Sequence, residues 1–564
     1  MSEAALPSPK GSGQVSQDHR SETPPSSSAS LFSGARLCRT ATGSTIGDLA
    51  LVVVSGLAMW AAFPALNWWF LVVPSLALLV AVVDRVGPWR AAGYSAVWAM
   101  TFMMPLISWM QIATGNTWIA WFALAGAQAF FIALWGGTFA STRVWPWARS
   151  VWGEALVGSL LWITWEEIRS RIPFGGFPWG KVAYPQVNSS LIGLAPYGGE
   201  ILVAFALVGS AILLRRALAL RGNPRSSPST KTRVLAVVTA IAVLVLPGFI
   251  TLPVQAENGT VDVAVIQGNV EIPMLETFAI PRKVTGNHAR QSMVMLDEGH
   301  ELDLIFWGEN STDLDPRVDS GTTDLVEEVV ERAGVPVMIG VMEYHPERRY
   351  NWMVVWDPED GGLWEEKYGK QHPVPWGEYV PFRTLTEWLA EASAQVSVDM
   401  VAVDNPAFME VRLSDGRVVP LVVAICFEVA YEPLIAEGVR LGGEMIVIPT
   451  NNAHFQNSPE SDQQLQMAQF RAAQFSRATM QVSTNGVSAL VSPNGKIMEK
   501  TGTQEAAHLV GQMPLRTSMT PSALLTPFLP ALVMGAGLMV GAVAMGAHIK
   551  MWRSERRSFA YKHG

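Results

Sequence analysis

Apolar residues run in long blocks over the first part of the chain and in short alternating bursts over the second. The long blocks fall at about 47–66, 68–84, 91–112, 117–140, 150–167, 199–220 and 232–252, and one more lies at about 523–548. Each approaches the roughly 20 residues an α-helix needs to cross a bilayer, so the pattern predicts about eight transmembrane helices. The breaks have physical causes. Pro64 and Asn67, Asp84-Arg85 with Gly87-Pro88, Gly115-Asn116, and Pro146 supply turn formers or charges that lipid does not accept. Before the first block, residues 1–45 are rich in Ser, Pro, Gly and charge, and predict a disordered segment.

Residues 256–515 have a different texture. Short β-rich runs at 261–267, 302–307, 335–342, 352–356, 419–427, 445–449, 480–484 and 488–491 alternate with helical patterns at about 281–299, 321–333, 431–440 and 461–478. That alternation predicts a layered α/β domain with buried strands. The expected organisation is therefore a disordered cytoplasmic N-terminus (1–45), a transmembrane bundle of about seven helices (46–255), the α/β domain (256–515), a final transmembrane helix (516–550) and a cytoplasmic tail (551–564).

Lys and Arg set the orientation. Arg36 and Arg39, Arg85 and Arg90, Arg143 and Arg149, Arg215, Arg216, Arg221, Arg225, Lys231 and Arg233, and Lys550, Arg553, Arg556 and Arg557 all fall on one side of such a bundle. Positive charge marks the cytoplasmic side. Both termini are then inside the cell membrane, and the α/β domain is extracytoplasmic. Arg169, Arg171 and Lys181 sit in an outer loop. They are either tolerated loop charge or phosphate contacts at the outer leaflet.

Composition agrees with a bilayer: 49% of the 564 residues are hydrophobic and 16% charged, with mean hydropathy +0.23. A net charge of −8 with no basic domain argues against a nucleic-acid partner. Cys38 and Cys426 are the two cysteines, too few for a disulfide framework. No metal or cofactor is expected.

The candidate chemistry lies in the α/β domain. Cys426 ends an apolar run, with a helix expected from about Tyr431, so helix N–H groups could stabilise its thiolate. The ordinary alternative is a small buried hydrophobe. Glu309 follows the run ending at Trp307, at the carboxyl end of a strand, where a base is well placed. Taken alone it is equally a solvated loop carboxylate. Lys370 could hold an oxyanion or be a surface lysine, with Lys367 as a nearby competitor. His372 invites a Cys–His dyad, but no acidic partner for it is evident. Glu154, Glu166 and Glu167 near the fifth helix read as bundle-packing carboxylates or as a transporter's polar groups.

Together, in the order Glu, Lys, Cys, these residues resemble the nitrilase (carbon–nitrogen hydrolase) superfamily, and with the helical frame the chain resembles its apolipoprotein N-acyltransferases over about residues 46–550. The acidic motif Trp-Pro-Glu appears as Trp307-Gly308-Glu309. The lysine motif runs from Lys370 through Gln371-His372-Pro373-Val374-Pro375-Trp376-Gly377 to Glu378. The nucleophile motif Cys-x-Glu appears as Cys426-Phe427-Glu428, and the strand opening as Val265-Ile266-Gln267-Gly268-Asn269. The membrane-loop signature is Gly176-Phe177-Pro178-Trp179. The departures are Gly308, Pro373, Asn451-Asn452-Ala453-His454-Phe455 for Asn-Asp-x-Trp-Phe, and Gln463-Gln464 for Gln-His.

The resemblance implies an αββα sandwich. It implies Glu309, Lys370 and Cys426 as catalytic residues, with Phe427 at the oxyanion and Glu378 and Glu428 as supporting carboxylates that orient Lys370. Trp179, Trp376 and Tyr379 would contact substrate. The implied reaction takes an acyl group from a membrane phospholipid through a cysteine thioester to the N-terminal diacylglyceryl-cysteine of a lipoprotein. A monomer is expected. Apolar loops at 272–275 and 385–394 either dip into membrane lipid or cover the domain core. The competing readings are a membrane-anchored amidohydrolase and a non-enzymatic lipid-binding or transport protein. A transporter would show inverted repeats and broken helices near the midplane, and neither is visible in the sequence.

Overall fold

The computed structural model describes residues 45–114, 118–218, 228–271, 280–383 and 396–563. The N-terminal segment with Cys38 and the apolar loops at 272–275 and 385–394 lie outside them.

Apolar helices form where the sequence predicts. They are α1 (Thr45–Ala61), α2 (Val72–Val83), α3 (Pro88–Leu106), a short α4 (Trp109–Ala113), α5 (Trp118–Ser141), α6 (Val151–Arg169), α7 (Ala195–Ala217) and α8 (Thr230–Val245). The predicted 91–112 helix is divided, because Pro105 lies inside α3 and the backbone turns before Trp109. Among the described residues, four helical stretches are long and apolar enough to cross a membrane: Trp118–Val144, Ser190–Ala217, Thr230–Phe249 and Leu529–Glu555. In α8 only Ala236 and Ala240 are buried, and Val234, Leu235, Val238 and Ile241 are exposed. Such an apolar outer face suits lipid rather than water.

Ion pairs fix which helix ends lie together. Arg85 pairs with Asp48, Arg143 and Arg215 with Asp84, and Arg216 with Glu154, at one end of the bundle. At the other end Arg169 reaches Glu166 at 3.7 Å, Lys181 bridges Glu167 and Glu200, and Arg171 also holds Glu167. The basic loop residues and the fifth-helix carboxylates are thus each other's partners. Arg169 and Lys181 are buried. One feature was not anticipated: α7 is broken at Gly198–Gly199, where Gly199 has φ 55°. A Cβ on Gly199 would lie 2.3 Å from Gln474 Nε2 and 2.8 Å from Glu432 Oε1, so only glycine lets the helix approach the α/β domain this closely.

The domain after the bundle holds two six-stranded sheets. The first comprises β1 (Thr260–Gln267), β2 (Leu304–Trp307), β3 (Val337–Tyr344), β4 (Arg349–Asp357), β5 (Gly361–Gly369) and β12 (Ala507–Pro514), in the order β12-β1-β2-β3-β4-β5. The second comprises β6 (Met409–Arg412), β7 (Val418–Val423), β8 (Met445–Thr450), β9 (Ala478–Ser483), β10 (Ala489–Val491) and β11 (Ile497–Lys500), in the order β11-β10-β9-β8-β7-β6. Alternation along the strands builds the layers. Val263, Val265, Leu304 and Phe306 join one core with Leu421, Val423, Ile446 and Ile448 of the second sheet. Ala264, Ile266, Ile305 and Trp307 face α9 (Lys283–Leu296) and α10 (Ser320–Ala333). Beyond the second sheet lie α11 (Glu432–Arg440) and α12 (Glu460–Phe475), followed by α13 (Pro521–Leu525) and the long apolar α14 (Leu529–His563). This is the expected nitrilase-like αββα sandwich.

Candidate active site

Strand direction brings the chemistry together. β2 and β3 are parallel, and two antiparallel steps through β4 give β5 the same direction. Glu309 after β2 and Lys370 after β5 therefore emerge at one edge of the first sheet. In the second sheet β7 and β8 are parallel, so Cys426 and Asn451 emerge together. Gly308 lets the sheets close here: a Cβ would sit 2.9 Å from Thr484 N and 3.0 Å from Val482 O. That departure from the motif thus fits a close backbone contact.

Glu309 is buried, and its carboxylate is fully engaged. Oε1 accepts from Asn351 Nδ2 at 2.7 Å and Lys370 Nζ at 2.9 Å, and Oε2 accepts from the Asn451 N–H at 2.9 Å. Lys370, 1% exposed, also donates to Glu378 Oε1 at 2.6 Å. Burial works against the Lys370 ammonium, but Glu309 and Glu378 override it and hold its pKa well above the ordinary lysine range. Lys370 is therefore a fixed cation. The surface-lysine alternative does not hold.

Cys426 opens a 3₁₀ turn, Cys426–Ala430, and not the end of the predicted 419–427 strand. β7 stops at Val423 because the chain bends there, and Cys426 itself takes φ 56°. A non-glycine residue in the left-handed region is strained, and the surroundings must hold it there. Burial pushes the Cys426 thiol up, the Glu309 charge adds to this and Lys370 opposes it. At rest Cys426 is a thiol. The sequence suggested that helix N–H groups would favour the thiolate, but burial and Glu309 outweigh any such effect. Thr450 Oγ1 lies 3.6 Å from Sγ.

Glu378 touches Lys370 and also accepts the Val374 N–H at 2.7 Å. Glu428 makes no hydrogen bond to Lys370. Its Oε1 accepts the Gln371 and His372 backbone N–H groups at 2.6 and 2.9 Å, and its Oε2 accepts the Ile425 N–H at 2.7 Å and the Tyr368 hydroxyl at 2.8 Å. It clamps the Cys426 turn to the loop after Lys370, and burial pushes its carboxyl up to about 7. The His372 ring stacks flat on Tyr431 at 4.1 Å, so the Cys–His alternative has no geometry behind it.

Aromatic rings form a wall where this cluster meets the bundle. Trp179, buried, lies parallel to Phe427 at 5.8 Å. Trp376 and Tyr379 are half-buried on the loop after Lys370, where Trp376 meets Phe174 edge-on at 5.4 Å and Phe174 meets Phe382 at 5.8 Å. Phe174, Trp376 and Phe382 all take positive φ, which aims three aromatic rings from two loops at one spot. A cavity of about 210 Å³ lies beside the wall, lined by Glu167, Arg171, Lys181, His372, Tyr431 and Glu432 among others. None of Glu309, Lys370 and Cys426 lines it.

The sequence reading missed Asn351, Thr450 and Glu460. A buried Asn beside an apolar strand was the available signal for the first. Glu460, 3% exposed, accepts from Asn452 Nδ2 at 2.8 Å, and Asn452 Oδ1 is reached by Thr450 Oγ1 at 3.2 Å. The departures Asn452 and Gln464 meet here, since Asn452 Nδ2 also donates to Gln464 Oε1 at 2.9 Å. Burial pushes the Glu460 carboxyl up to about 8, with the Asn452 hydrogen bond opposing and the Glu309 charge adding. Its folded value lies above its unfolded one, so its contribution to stability is complete in acid and is lost as the pH rises through about 8. Glu460→Gln removes that loss. Relative to wild type, its unfolding free energy should rise by on the order of 1 kcal/mol per pH unit between about pH 5 and 8. Denaturant titrations of both proteins at several pH values would measure this, and a pH-independent difference would refute it.

Two family models match the chain. Residues 298–518 match the carbon-nitrogen hydrolases, and residues 55–213 match the apolipoprotein N-acyltransferase N-terminal domain. Among curated proteins it is similar to an apolipoprotein N-acyltransferase of Mycolicibacterium smegmatis, 30% identical over 559 residues that cover 90% of each chain. It is also similar to one from Azotobacter vinelandii, 30% identical over 500 residues covering 85% of this chain and 90% of that one. Among solved structures it is similar to a Nesterenkonia amidase of the nitrilase superfamily, with 14% identity and a TM-score of 0.32, covering 46% of this chain and 93% of that one.

Proposed function

The chain belongs to the apolipoprotein N-acyltransferase family, and on that premise we propose the chemistry by which it N-acylates lipoproteins. It is a membrane-associated acyltransferase. Glu309 takes the proton from Cys426 Sγ, and the thiolate attacks an ester carbonyl carbon of a membrane phospholipid. The Lys370 ammonium and the Phe427 backbone N–H stabilise the oxyanion. As the carbon–oxygen bond breaks, Glu309 returns the proton to the leaving lyso-phospholipid oxygen, and a Cys426 thioester remains. The free α-amino group of a diacylglyceryl-cysteine N-terminus then attacks the thioester. Glu309 accepts the amine proton, an amide forms, and the Cys426 thiol is restored. We propose that the protein acts as a monomer.

The observation that carries this reading is the convergence of Glu309, Lys370 and Cys426 behind a wall that the bundle itself supplies through Trp179. An amidase acting on a small soluble amide has no use for a membrane element against its nucleophile. A lipid substrate does, because each methylene drawn into water costs about 0.8 kcal/mol. Trp376 and Tyr379 would contact the arriving lipid. Full-length protein given a labelled phospholipid should form a Cys426-linked acyl-enzyme that persists until a diacylated lipopeptide amine is added. Prompt release of free fatty acid, indifferent to lipopeptide, would favour the amidohydrolase-type alternative.

We also propose that α1, α2, α3, α5, α6, α7, α8 and α14 are eight membrane crossings, with 256–515 extracytoplasmic and residues beyond 551 cytoplasmic. Support comes from the basic residues gathered at the bundle end away from the α/β domain. A cysteine replacing the exposed Ser320 should react with a membrane-impermeant thiol reagent in intact cells. Labelling only after lysis would reverse the orientation.

A further inference from the structure

α12 is a polar helix buried along nearly its whole length, with Asp462 partly exposed. Glu460, Gln463, Gln464, Gln466, Arg471 and Gln474 are each no more than 3% exposed. Buried amides persist where their hydrogen bonds are made, and Gln463 makes its own in an unusual place. Its Oε1 accepts the Trp179 indole N–H at 2.7 Å and the Trp109 indole N–H at 3.2 Å. Its Nε2 donates to the Leu106 carbonyl at 3.0 Å and the Pro64 carbonyl at 3.4 Å. All these partners belong to the bundle: Pro64 follows α1, Leu106 ends α3, Trp109 opens α4 and Trp179 lies in the loop after α6. One side chain of the α/β domain thus binds three stretches of the bundle: after α1, at the α3–α4 junction and after α6. The carboxamide is the neutral side chain suited to this, because it accepts and donates two hydrogen bonds on each side.

What the amide holds leads straight to the nucleophile. The Trp179 ring lies within 11° of parallel to Phe427, and Trp109 supports Trp179 from the side at 5.5 Å. Phe427 follows Cys426 in the turn that keeps Cys426 at φ 56°. Glu428 clamps that turn through the Ile425 N–H, and the indole backs the Phe427 ring. We propose that Gln463 is a positioning residue of the acyl-transfer reaction, whose amide fixes the Trp179 indole against Phe427 and so holds the backbone beside Cys426 in its reactive geometry. This rests on the acyl-transfer reading given above. It assigns Gln463 no contact with substrate.

The test uses full-length protein in nanodiscs of phosphatidylethanolamine and phosphatidylglycerol carrying a fluorescent acyl chain. Gln463→Leu keeps the bulk and removes both acceptor and donor. It should slow acylation of Cys426 by about 30-fold or more, as small misplacements of reacting groups do, while alkylation of Cys426 by iodoacetamide stays within about twofold. Gln463→Glu still accepts both indole N–H groups, and as a neutral acid donates to one carbonyl, so it should recover most of the rate. Backbone amide exchange gives a readout independent of activity. Exchange over Cys426–Ala430 should quicken in Gln463→Leu with Met445–Thr450 unchanged. Acylation by Gln463→Leu within about threefold of wild type, a glutamate variant as slow as the leucine one, or unaltered exchange over Cys426–Ala430 would each overturn the proposal. Absence of any acyl-enzyme in the wild type would overturn the acyl-transfer reading instead, and the exchange comparison would still decide the role of Gln463.

Discussion

Cys426→Ala should abolish both the phospholipid-derived acyl-enzyme and transfer to lipopeptide, with an expected loss of ~10⁴-fold or more, because the proposed thioester forms on Cys426 Sγ. The protein should survive the change. Cys426 is 9% exposed, and its sulfur has one hydrogen-bond neighbour, the Thr450 hydroxyl at 3.6 Å. Removing it leaves a small space, at a cost of about 1 kcal/mol. A folded, inactive variant is therefore the expected product. The measurement is label retained on denatured protein after incubation with labelled phospholipid, with Cys38→Ala as the control that keeps its label. Substantial transfer by Cys426→Ala would exclude a covalent route. Cys426→Ser tests a further point, since the thiol is held protonated by burial and by Glu309. A hydroxyl is harder still to deprotonate, so serine should acylate far more slowly than cysteine even with Glu309 in place.

The elements legible in the sequence were those buried on both faces. All eight anticipated strands are interior strands of the two sheets: β1 to β4 and β7 to β10. Those not anticipated, β5, β6, β11 and β12, are the four sheet edges. Edge strands are half solvated, and β11 is exposed along its whole length. They lack the continuous apolar run that marks a buried strand. The helical bundle was legible because its helices are continuously apolar even where they are exposed, whereas the break at Gly198–Gly199 was not. A glycine pair in an apolar helix signals a bend only when its neighbour is known, here Gln474 and Glu432.

The site divides in a similar way. Glu309, Lys370 and Cys426, which the fold brings together, could be singled out because each follows an apolar strand or stands in a recognisable local motif. Their supports could not. Asn351 sits across a strand pair, Asn451 contributes only its backbone N–H, and Gln463 meets partners more than 280 residues away in the chain. Such long-range polar contacts carry no local periodicity. The role of Glu428 shows the limit from another side. Its place beside Cys426 in the motif marks it as part of the site, but only the fold reveals that it binds the peptides after Lys370 and leaves the ammonium to Glu378.

The second large effect is expected at Lys370. Its ammonium bridges two carboxylates, Glu309 at 2.9 Å and Glu378 at 2.6 Å, in a position only 1% exposed. Lys370→Met removes the cation and leaves both carboxylates in place. An orphaned buried charge costs roughly 3–5 kcal/mol, so the unfolding free energy should fall by about that much near neutral pH. Wild type should show no such loss from this group between about pH 7 and 9. The folded value of Lys370 lies above its unfolded one near 10.4, and the stabilisation is complete below that. Chemistry should suffer more than stability. Without the ammonium the oxyanion loses a charged donor, worth about 10²–10³-fold in the acylation step, and Glu309 loses the partner that fixes its carboxylate. Lys370→Arg separates the two roles. The guanidinium restores the charge and most of the stability, but its fixed fork cannot sit where a single nitrogen meets both carboxylates, so acylation should remain impaired. Denaturant titrations give the first quantity and single-turnover acylation the second. An arginine variant that acylates at the wild-type rate would show that only the charge of Lys370 matters, not the point at which its nitrogen sits.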